Sequence, residues 1–288
     1  MRPPLVAALL AFVAALVAGC QSSSTNTTLA YYDPRPITIV APADPAPTPV
    51  VASATVPPRG QCGTAGRPRS LLAGRVLPIS RVSDIDLEPG EVVLTFDDGP
   101  MPGKTKRILD ALDAEGVKAT FLMVGQMAAA YPDIAREVAR RGHTIGSHTY
   151  DHANLAKLSG PAALAEIAAG ERAVAKALAG SGHAMAPFFR FPYLADTANL
   201  RHTLAKRGTV VIDVDIDSKD YVRTPGDTVM RRTLARLKER GRGIILFHDI
   251  HARTASMLPG FLAALRRDGY RVVALVPAGS PACDVKAS

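Results

Sequence analysis

Apolar and polar residues alternate along residues 91–277 with two periods, one typical of buried strands and one typical of helices. Strands are predicted at 92–96, 117–124, 143–148, 188–191, 209–216, 243–247 and 270–276. Helices are predicted between them, at 105–114, 132–141, 161–178, 199–206, 227–239 and 256–268, and several are followed by a glycine, which suits the first position after a helix. This alternation predicts an α/β fold with a parallel sheet or a closed barrel.

Ionisable residues lie at the ends of five of the predicted strands. They are Asp97 and Asp98 after the first strand, His148 and His152 after the third, Arg190 in the fourth, Asp217 and Asp220 after the fifth, and His248 after the sixth. In α/β barrels the chemistry sits where strands end and loops begin. We therefore expect these side chains to converge at one face of the fold.

Two of the histidines, His148 and His152, lie four positions apart, so one turn of backbone can bring both rings to the same side. Two imidazoles and one carboxylate form a three-ligand metal site with positions left open for water or substrate. Thr149 stands where a zincin would have its glutamate, so the general base must come from elsewhere. Asp97 and Asp98 can supply both missing functions, although an ordinary Asp-Asp-Gly-Pro turn is the competing interpretation.

The motifs at these strand ends resemble, in the same order, those of the polysaccharide deacetylase family, also called the NodB-homology domain or carbohydrate esterase family four. The matching segments are Thr95–Pro100, His148–His152, Arg190–Tyr193, Asp217–Tyr221 and Leu246–His248, within a catalytic domain predicted at 91–277. One such motif is weak, whereas five in order are specific. The resemblance implies a distorted (β/α) barrel of about seven strands.

The resemblance also implies a role for each matched residue. The catalytic base is Asp97, oriented by Arg190, the general acid is His248, the oxyanion donor is the backbone N–H of Tyr193, and the metal ligands are Asp98, His148 and His152. The metal is usually zinc in this family, although other divalent ions are tolerated. The implied reaction is attack of water on a metal-polarised acetyl group.

The fourth motif contains two carboxylates that could tune the acid, Asp217 and Asp220, and of these we predict Asp217. Asp220 is then assigned to the substrate groove, together with Pro192 and Tyr221. The family often has Trp at the position of Tyr221, and often Gly at that of Leu194. Both departures concern the substrate rather than the chemistry.

The predicted function is removal of N-acetyl groups from GlcNAc- or MurNAc-type sugars of a cell-envelope polymer, with peptidoglycan favoured. An O-acetyl esterase and a chitooligosaccharide deacetylase are the alternatives, since metal and oxyanion donor serve each of them. A catalytically inactive wall-binding protein is disfavoured because base, ligands and acid are all present. An iron oxygenase also uses two histidines and a carboxylate, but the strand–helix alternation argues against its usual β architecture.

The N-terminus predicts export. Arg2 and the apolar run from Leu5 to Val17 are typical of a signal peptide, and the following Ala-Gly-Cys resembles a bacterial lipobox. We therefore predict a signal peptide at 1–19 and a lipid on Cys20, although a plain secretory signal with an accidental cysteine is the alternative. Gln21 after the cysteine favours an outer-membrane lipoprotein facing the periplasm.

Three further segments surround the catalytic domain. Residues 20–60 are rich in Ser, Thr, Pro and Ala and predict a disordered tether, residues 61–90 an N-terminal extension, and residues 278–288 a C-terminal tail. Cys62 and Cys283 flank the domain, so a disulfide between them is the expectation in an oxidising compartment, with two unpaired thiols as the alternative.

The net charge of +8 does not change this interpretation, because the basic residues are scattered beside helical patterns. No basic run is interleaved with aromatic residues, so we predict no nucleic-acid partner. The expected partners are an acetylated amino-sugar polymer and, through Cys20, a membrane. The expected oligomeric state is a monomer.

Overall fold

Strands and helices alternate from residue 91 to residue 277 of the computed structural model, which describes residues 71–280. The strands are β1 Ala73–Ile79, β2 Glu91–Asp97, β3 Thr120–Met123, β4 Thr144–Ser147, β5 Phe188–Phe189, β6 Val210–Val211, β7 Ile216–Asp217, β8 Gly243–His248 and β9 Arg271–Pro277. The helices are α1 Thr105–Ala114, α2 Gly125–Ala130, α3 Pro132–Arg140, α4 Gly160–Leu178, α5 Ala198–Lys206, α6 Gly226–Arg240 and α7 Ala252–Arg267. The predicted signal peptide, the tether, Cys20, Cys62 and Cys283 lie outside the described residues.

Every strand pairing within residues 71–280 is parallel. The sheet runs in the order β1-β9-β2-β3-β4-β5-β6, while β8 pairs with β2 and β7 pairs with β8. The predicted α/β class is confirmed, with nine strands in the described range instead of about seven. The predicted strand at 209–216 is in fact two short strands, β6 and β7, and the described residues between them form no ladder.

Strand β2 lies at the centre of this sheet and is buried along its whole length. Its alternate residues Val92, Leu94 and Phe96 pack in the core with residues of α1 and α7, and the Phe96 ring stacks on Phe121 of β3 at a centroid distance of 5.1 Å. Because successive strand side chains point to opposite faces, Val93, Thr95 and Asp97 face the other way. This alternation directs Asp97 into the interior of the fold.

Two elements of the structure were not predicted from the sequence. Strand β1 pairs with β9, and its residues are mostly half-buried or exposed, so they carry little apolar periodicity. Helix α2 has six residues, which is too short for a helical period to be recognised. Within residues 71–280, no helix combines the length and apolarity that crossing a membrane requires.

Candidate active site

Three residues from two loops form a group of metal-binding geometry. Asp98 follows β2, and His148 and His152 follow β4; one ligand atom from each lies within 4.8 Å of the others. Asp98 Oδ1 is 3.5 Å from His148 Nε2 and 3.3 Å from His152 Nε2. That carboxylate oxygen is buried, and no described residue forms a hydrogen bond with it. A buried oxygen facing two imidazole nitrogens is a donor set that suits a divalent cation such as zinc.

Both histidine rings are neutral, which is the protonation state that metal binding requires. Nδ1 of His148 lies 2.8 Å from the backbone oxygen of Arg190, which places the ring proton on Nδ1 and leaves Nε2 facing Asp98. Burial lowers the pKa of His148 to about 4 and that of His152 to about 4, so both rings are neutral at physiological pH. A metal ligand must be deprotonated, and this requirement is met before any cation binds.

The local backbone is unusual where these ligands lie. Asp98, Thr149 and His152 have φ values of 77°, 68° and 64°, in the left-handed region that side chains other than glycine rarely adopt. Such conformations persist only where the surrounding structure enforces them, and they concentrate at functional sites.

Asp97, which precedes Asp98 in the chain, forms a buried ion pair with Arg190. The Arg190 guanidinium donates through one nitrogen to Asp97 Oδ1 at 2.7 Å and to Thr95 Oγ1 at 2.8 Å. Its remaining nitrogens donate to the backbone oxygens of Ile212 and Asp213, so the guanidinium is held by two segments, β2 and the residues that follow β6. Burial raises the pKa of Asp97 to about 6, although the charge of Arg190 opposes that rise. A carboxylate with this pKa is ionised at neutral pH and remains a competent proton acceptor.

His248, at the end of β8, forms the second buried charge pair of the site, with Asp220. The distance from His248 Nδ1 to Asp220 Oδ1 is 2.6 Å, and the His248 backbone N–H donates to Asp220 Oδ2 at 2.8 Å. Burial alone would lower the pKa of His248, but the charge and hydrogen bond of Asp220 outweigh it and raise the pKa to about 10. The ring is therefore protonated at neutral pH and can act as a proton donor.

The prediction that Asp217 is the carboxylate beside His248 is wrong. Asp217 ends β7, where its Oδ1 accepts the backbone N–H of Lys219 and its Oδ2 accepts the Tyr221 hydroxyl. The chain then turns through Lys219, whose φ is 54°, and this turn directs Asp220 inwards against β8. Asp220 is fully buried and Asp217 is not, so Asp220 rather than Asp217 pairs with His248, and its assignment to the groove was also wrong.

Two tyrosines lie at the rim of this site. Tyr193 is 54% exposed, and its ring centroid lies 4.6 Å from that of His152. Tyr221 is 47% exposed, and its ring meets that of His248 edge-on at 5.6 Å. Pro192 is buried at the start of the short 3-10 turn that carries Tyr193. The predicted groove residues Tyr221 and Pro192 therefore lie close to the predicted catalytic residues, with only Tyr221 reaching solvent.

Two threonine hydroxyls that bond the buried carboxylates of this site were not predicted from the sequence. Thr254 of α7 donates to Asp220 Oδ2 at 2.6 Å, and Thr105 of α1 donates to Asp249 Oδ2 at 2.6 Å. Asp249 directly follows His248 and is fully buried, and burial raises its pKa to about 7. A threonine near the start of a helix is common, so neither hydroxyl carries a signal that sequence inspection could have recognised.

Comparisons with known proteins agree with this geometry. A family model described as polysaccharide deacetylase matches residues 84–212. A chitin deacetylase of Colletotrichum lindemuthianum is 32% identical over 217 residues, which cover 71% of this chain and 85% of the fungal protein. A peptidoglycan-N-acetylglucosamine deacetylase of Listeria monocytogenes is 31% identical over 184 residues, which cover 64% of this chain and 38% of that protein.

Two solved structures show the same fold. The peptidoglycan deacetylase Bd3279 of Bdellovibrio bacteriovorus superimposes with a TM-score of 0.62 and 36% identity, covering 75% of this chain and 59% of that one. A family 4 carbohydrate esterase of Streptomyces lividans superimposes with a TM-score of 0.56 and 33% identity, covering 65% of this chain and 91% of that one. The chain thus spans less than two thirds of the Listeria and Bdellovibrio proteins. With its five motifs assembled in one site, this chain belongs to the polysaccharide deacetylase family.

Proposed function

We propose that the protein is a divalent-metal-dependent hydrolase that removes N-acetyl groups from the amino sugars of a cell-envelope polymer, with peptidoglycan as the substrate. The observation that carries the proposal is the placement of two buried proton carriers, Asp97 with a pKa of about 6 and His248 with a pKa of about 10, beside the Asp98–His148–His152 group. A hydrolase needs one group to accept a proton and another to donate one, and their environments separate the two pKa values in the required sense.

The metal is assigned to the three clustered ligands. Asp98, His148 and His152 would hold it, and the buried Asp98 Oδ1 without a hydrogen-bond donor among the described residues is the position a cation would satisfy. A bound divalent cation would polarise the acetyl carbonyl. It would also lower the pKa of a water molecule bound to it towards neutrality. Zinc is the favoured ion because two imidazoles and one carboxylate form one of its established catalytic ligand sets.

The protein's own residues supply the proton transfers. Asp97, held by Arg190 at 2.7 Å, accepts the proton of the water that attacks the acetyl carbon. His248, kept protonated by Asp220, donates a proton to the sugar nitrogen as the C–N bond breaks. The products are acetate and a free amino sugar, and both residues return to their starting protonation states when protons exchange with solvent.

Arg190 and Tyr193 have supporting parts in the proposal. The Arg190 side chain fixes the direction of the Asp97 carboxylate, since it is anchored by the backbone oxygens of Ile212 and Asp213, which directly follow β6. The Tyr193 backbone N–H is proposed to donate to the developing oxyanion. Tyr193 has a left-handed conformation (φ 59°), which changes the direction of the chain at this residue. The exposed Tyr221 ring offers an apolar face to a sugar beside the acid.

Peptidoglycan is favoured over chitin-like polymers for two reasons. The names of the Listeria and Bdellovibrio relatives specify peptidoglycan, and the predicted lipid on Cys20 would keep the enzyme close to the cell wall. The Colletotrichum relative is named a chitin deacetylase, so chitooligosaccharides are the second substrate to test. Anchoring in the outer membrane, a monomeric state and hydrolysis at nitrogen rather than oxygen are parts of the same proposal.

The test measures acetate released by the full-length protein from peptidoglycan fragments, from chitooligosaccharides and from an O-acetylated polysaccharide, with zinc or with chelator. Asp97→Asn and Asp98→Asn are compared with Asp227→Asn, an exposed aspartate of α6. We expect chelator-sensitive release from peptidoglycan that is lost in the first two variants and retained in the third. Release only from the O-acetylated polymer, or undiminished release by Asp97→Asn, would overturn the proposal.

A further inference from the structure

The peptide loop between the two histidine ligands lies against helix α4. Oε1 of Glu166 on this helix accepts the backbone N–H groups of Tyr150 and Asp151, each at 2.7 Å. Thr149, just before them, has a left-handed backbone conformation. Successive N–H groups next to a left-handed residue form a concave donor site that suits an anion. A half-buried glutamate therefore fills this donor site from a neighbouring helix.

The helix approaches the loop too closely for an ordinary side chain at the contact. Gly170 lies one turn after Glu166, and a Cβ there would come within 2.3 Å of the Thr149 carbonyl carbon and 2.4 Å of its oxygen. The opposite edge of the loop is held as well, since the N–H groups of Gly125 and Gln126 donate to the oxygens of Thr149 and Tyr150 at 2.8 and 2.9 Å. Helices α2 and α4 thus hold the loop from both sides.

The two histidine ligands depend on this loop to different extents. His148 follows β4 directly, and its ring is fixed by the backbone oxygen of Arg190. His152 lies four residues farther along, beyond the strand, and has a left-handed backbone itself. Its N–H donates to Thr149 Oγ1 at 3.0 Å, so the position of its ring follows from the conformation of residues 149–151. Displacing that loop would move His152 while leaving His148 in place.

We infer that Glu166 is a positioning residue of the metal centre, whose carboxylate oxygen holds the 149–151 loop so that His152 faces Asp98. The inference rests on the proposed function, because it concerns the affinity of the metal site proposed there. In this role, Glu166 supplies an acceptor oxygen on a side chain long enough to contact the loop. Glutamine, which is neutral but of the same length, therefore replaces it. Aspartate, which has the same charge but is shorter, does not.

The same helix supplies a matched control. Glu171 is also half-buried on α4, and within residues 71–280 it forms no hydrogen bond to the loop. The experiment measures the zinc affinity of the full-length protein and of Glu166→Ala, Glu166→Gln, Glu166→Asp and Glu171→Ala, by competition with a chromophoric chelator. The visible spectrum of bound Co²⁺ reports the ligand geometry, and circular dichroism reports folding.

Loss of a group that orients a metal ligand typically weakens metal binding about 10- to 100-fold. We expect a loss of about tenfold or more for Glu166→Ala and Glu166→Asp with a changed Co²⁺ spectrum, and wild-type affinity for Glu166→Gln and Glu171→Ala. Zinc affinity of Glu166→Ala equal to wild type, or equal losses in Glu166→Gln and Glu166→Ala, would overturn the inference. If the alanine variant does not fold, the contrast between Glu166→Asp and Glu166→Gln decides it. A wild-type protein that binds no zinc would instead overturn the proposed function, and the inference with it.

Discussion

Asp220 holds His248 through both of its carboxylate oxygens, one on ring Nδ1 at 2.6 Å and the other on the His248 backbone N–H at 2.8 Å. The two residues are separated by 28 positions along the chain. Asp220 lies just after β7, and His248 is the last residue of β8, the strand that pairs with β7. Because both contacts use one buried carboxylate, the orientation and the charge of the ring are set together.

The Asp220→Asn substitution tests this relationship in catalysis. Without the carboxylate charge, burial lowers the His248 pKa from about 10, and the ring loses its proton at a lower pH. Since general-acid catalysis contributes about 10²- to 10⁴-fold, kcat at pH 8 should fall about 100-fold or more, and the alkaline limb of kcat/KM should move to lower pH. Asp217→Asn keeps the Asp220–His248 pair, so its profile should keep the wild-type limb. A larger loss in Asp217→Asn than in Asp220→Asn would contradict this assignment.

The same pair predicts how stability depends on pH in the metal-free protein. The folded pKa of His248 is raised to about 10, above the ordinary value of 6.5, so its contribution to stability is complete below pH 6.5 and is lost as pH rises through 10. The free energy of unfolding should fall with a slope of up to about 1.4 kcal/mol per pH unit from this proton. Urea unfolding between pH 7 and 9.5 measures the slope. Asp220→Asn should flatten it, and an equal slope in the variant would disprove the linkage.

Gly170→Ala tests the close approach of α4 to the loop between the histidine ligands. The added methyl group meets backbone atoms of Thr149, which cannot rotate away, so we expect a loss of about 1–3 kcal/mol in the free energy of unfolding. Gly160→Ala in the same helix is the control, because a Cβ there has no atom within 4 Å. Thermal and urea unfolding of both variants would show the difference, and equal stabilities would mean that the loop gives way easily.

Thr105→Val tests the support of the Asp98-Gly99-Pro100 turn. The Thr105 hydroxyl accepts the Met101 N–H at 2.7 Å and donates to the buried Asp249 carboxylate at 2.6 Å, so valine removes both hydrogen bonds. We expect a loss of about 1–3 kcal/mol in the free energy of unfolding. Thr203→Val is the control, since within residues 71–280 that hydroxyl bonds nothing besides a backbone oxygen of its own helix. An unchanged free energy of unfolding in Thr105→Val would mean that water replaces the hydroxyl.

Much of the fold could be predicted from periodicity alone. Helix α4 was predicted at 161–178 and spans Gly160–Leu178, and β8 was predicted at 243–247 and spans Gly243–His248. These elements are long, apolar on the buried side and bounded by glycine or serine, so local pattern and tertiary structure agree. The two-residue strands β6 and β7 are too short to show a period, so the sequence pattern predicted one continuous strand at 209–216.

The sequence by itself determined which residue types stand at the strand ends and in what order, and hence the family and the chemistry of the site. It could do so because a parallel sheet brings the ends of its strands to one edge, whatever the details of packing. Only the tertiary structure decided which groups touch. The choice of Asp220 over Asp217 depends on a turn at Lys219, and the contact of Glu166 with the histidine loop depends on the distance between a helix and a loop. Both are set by packing between segments distant along the chain, and no local pattern records them.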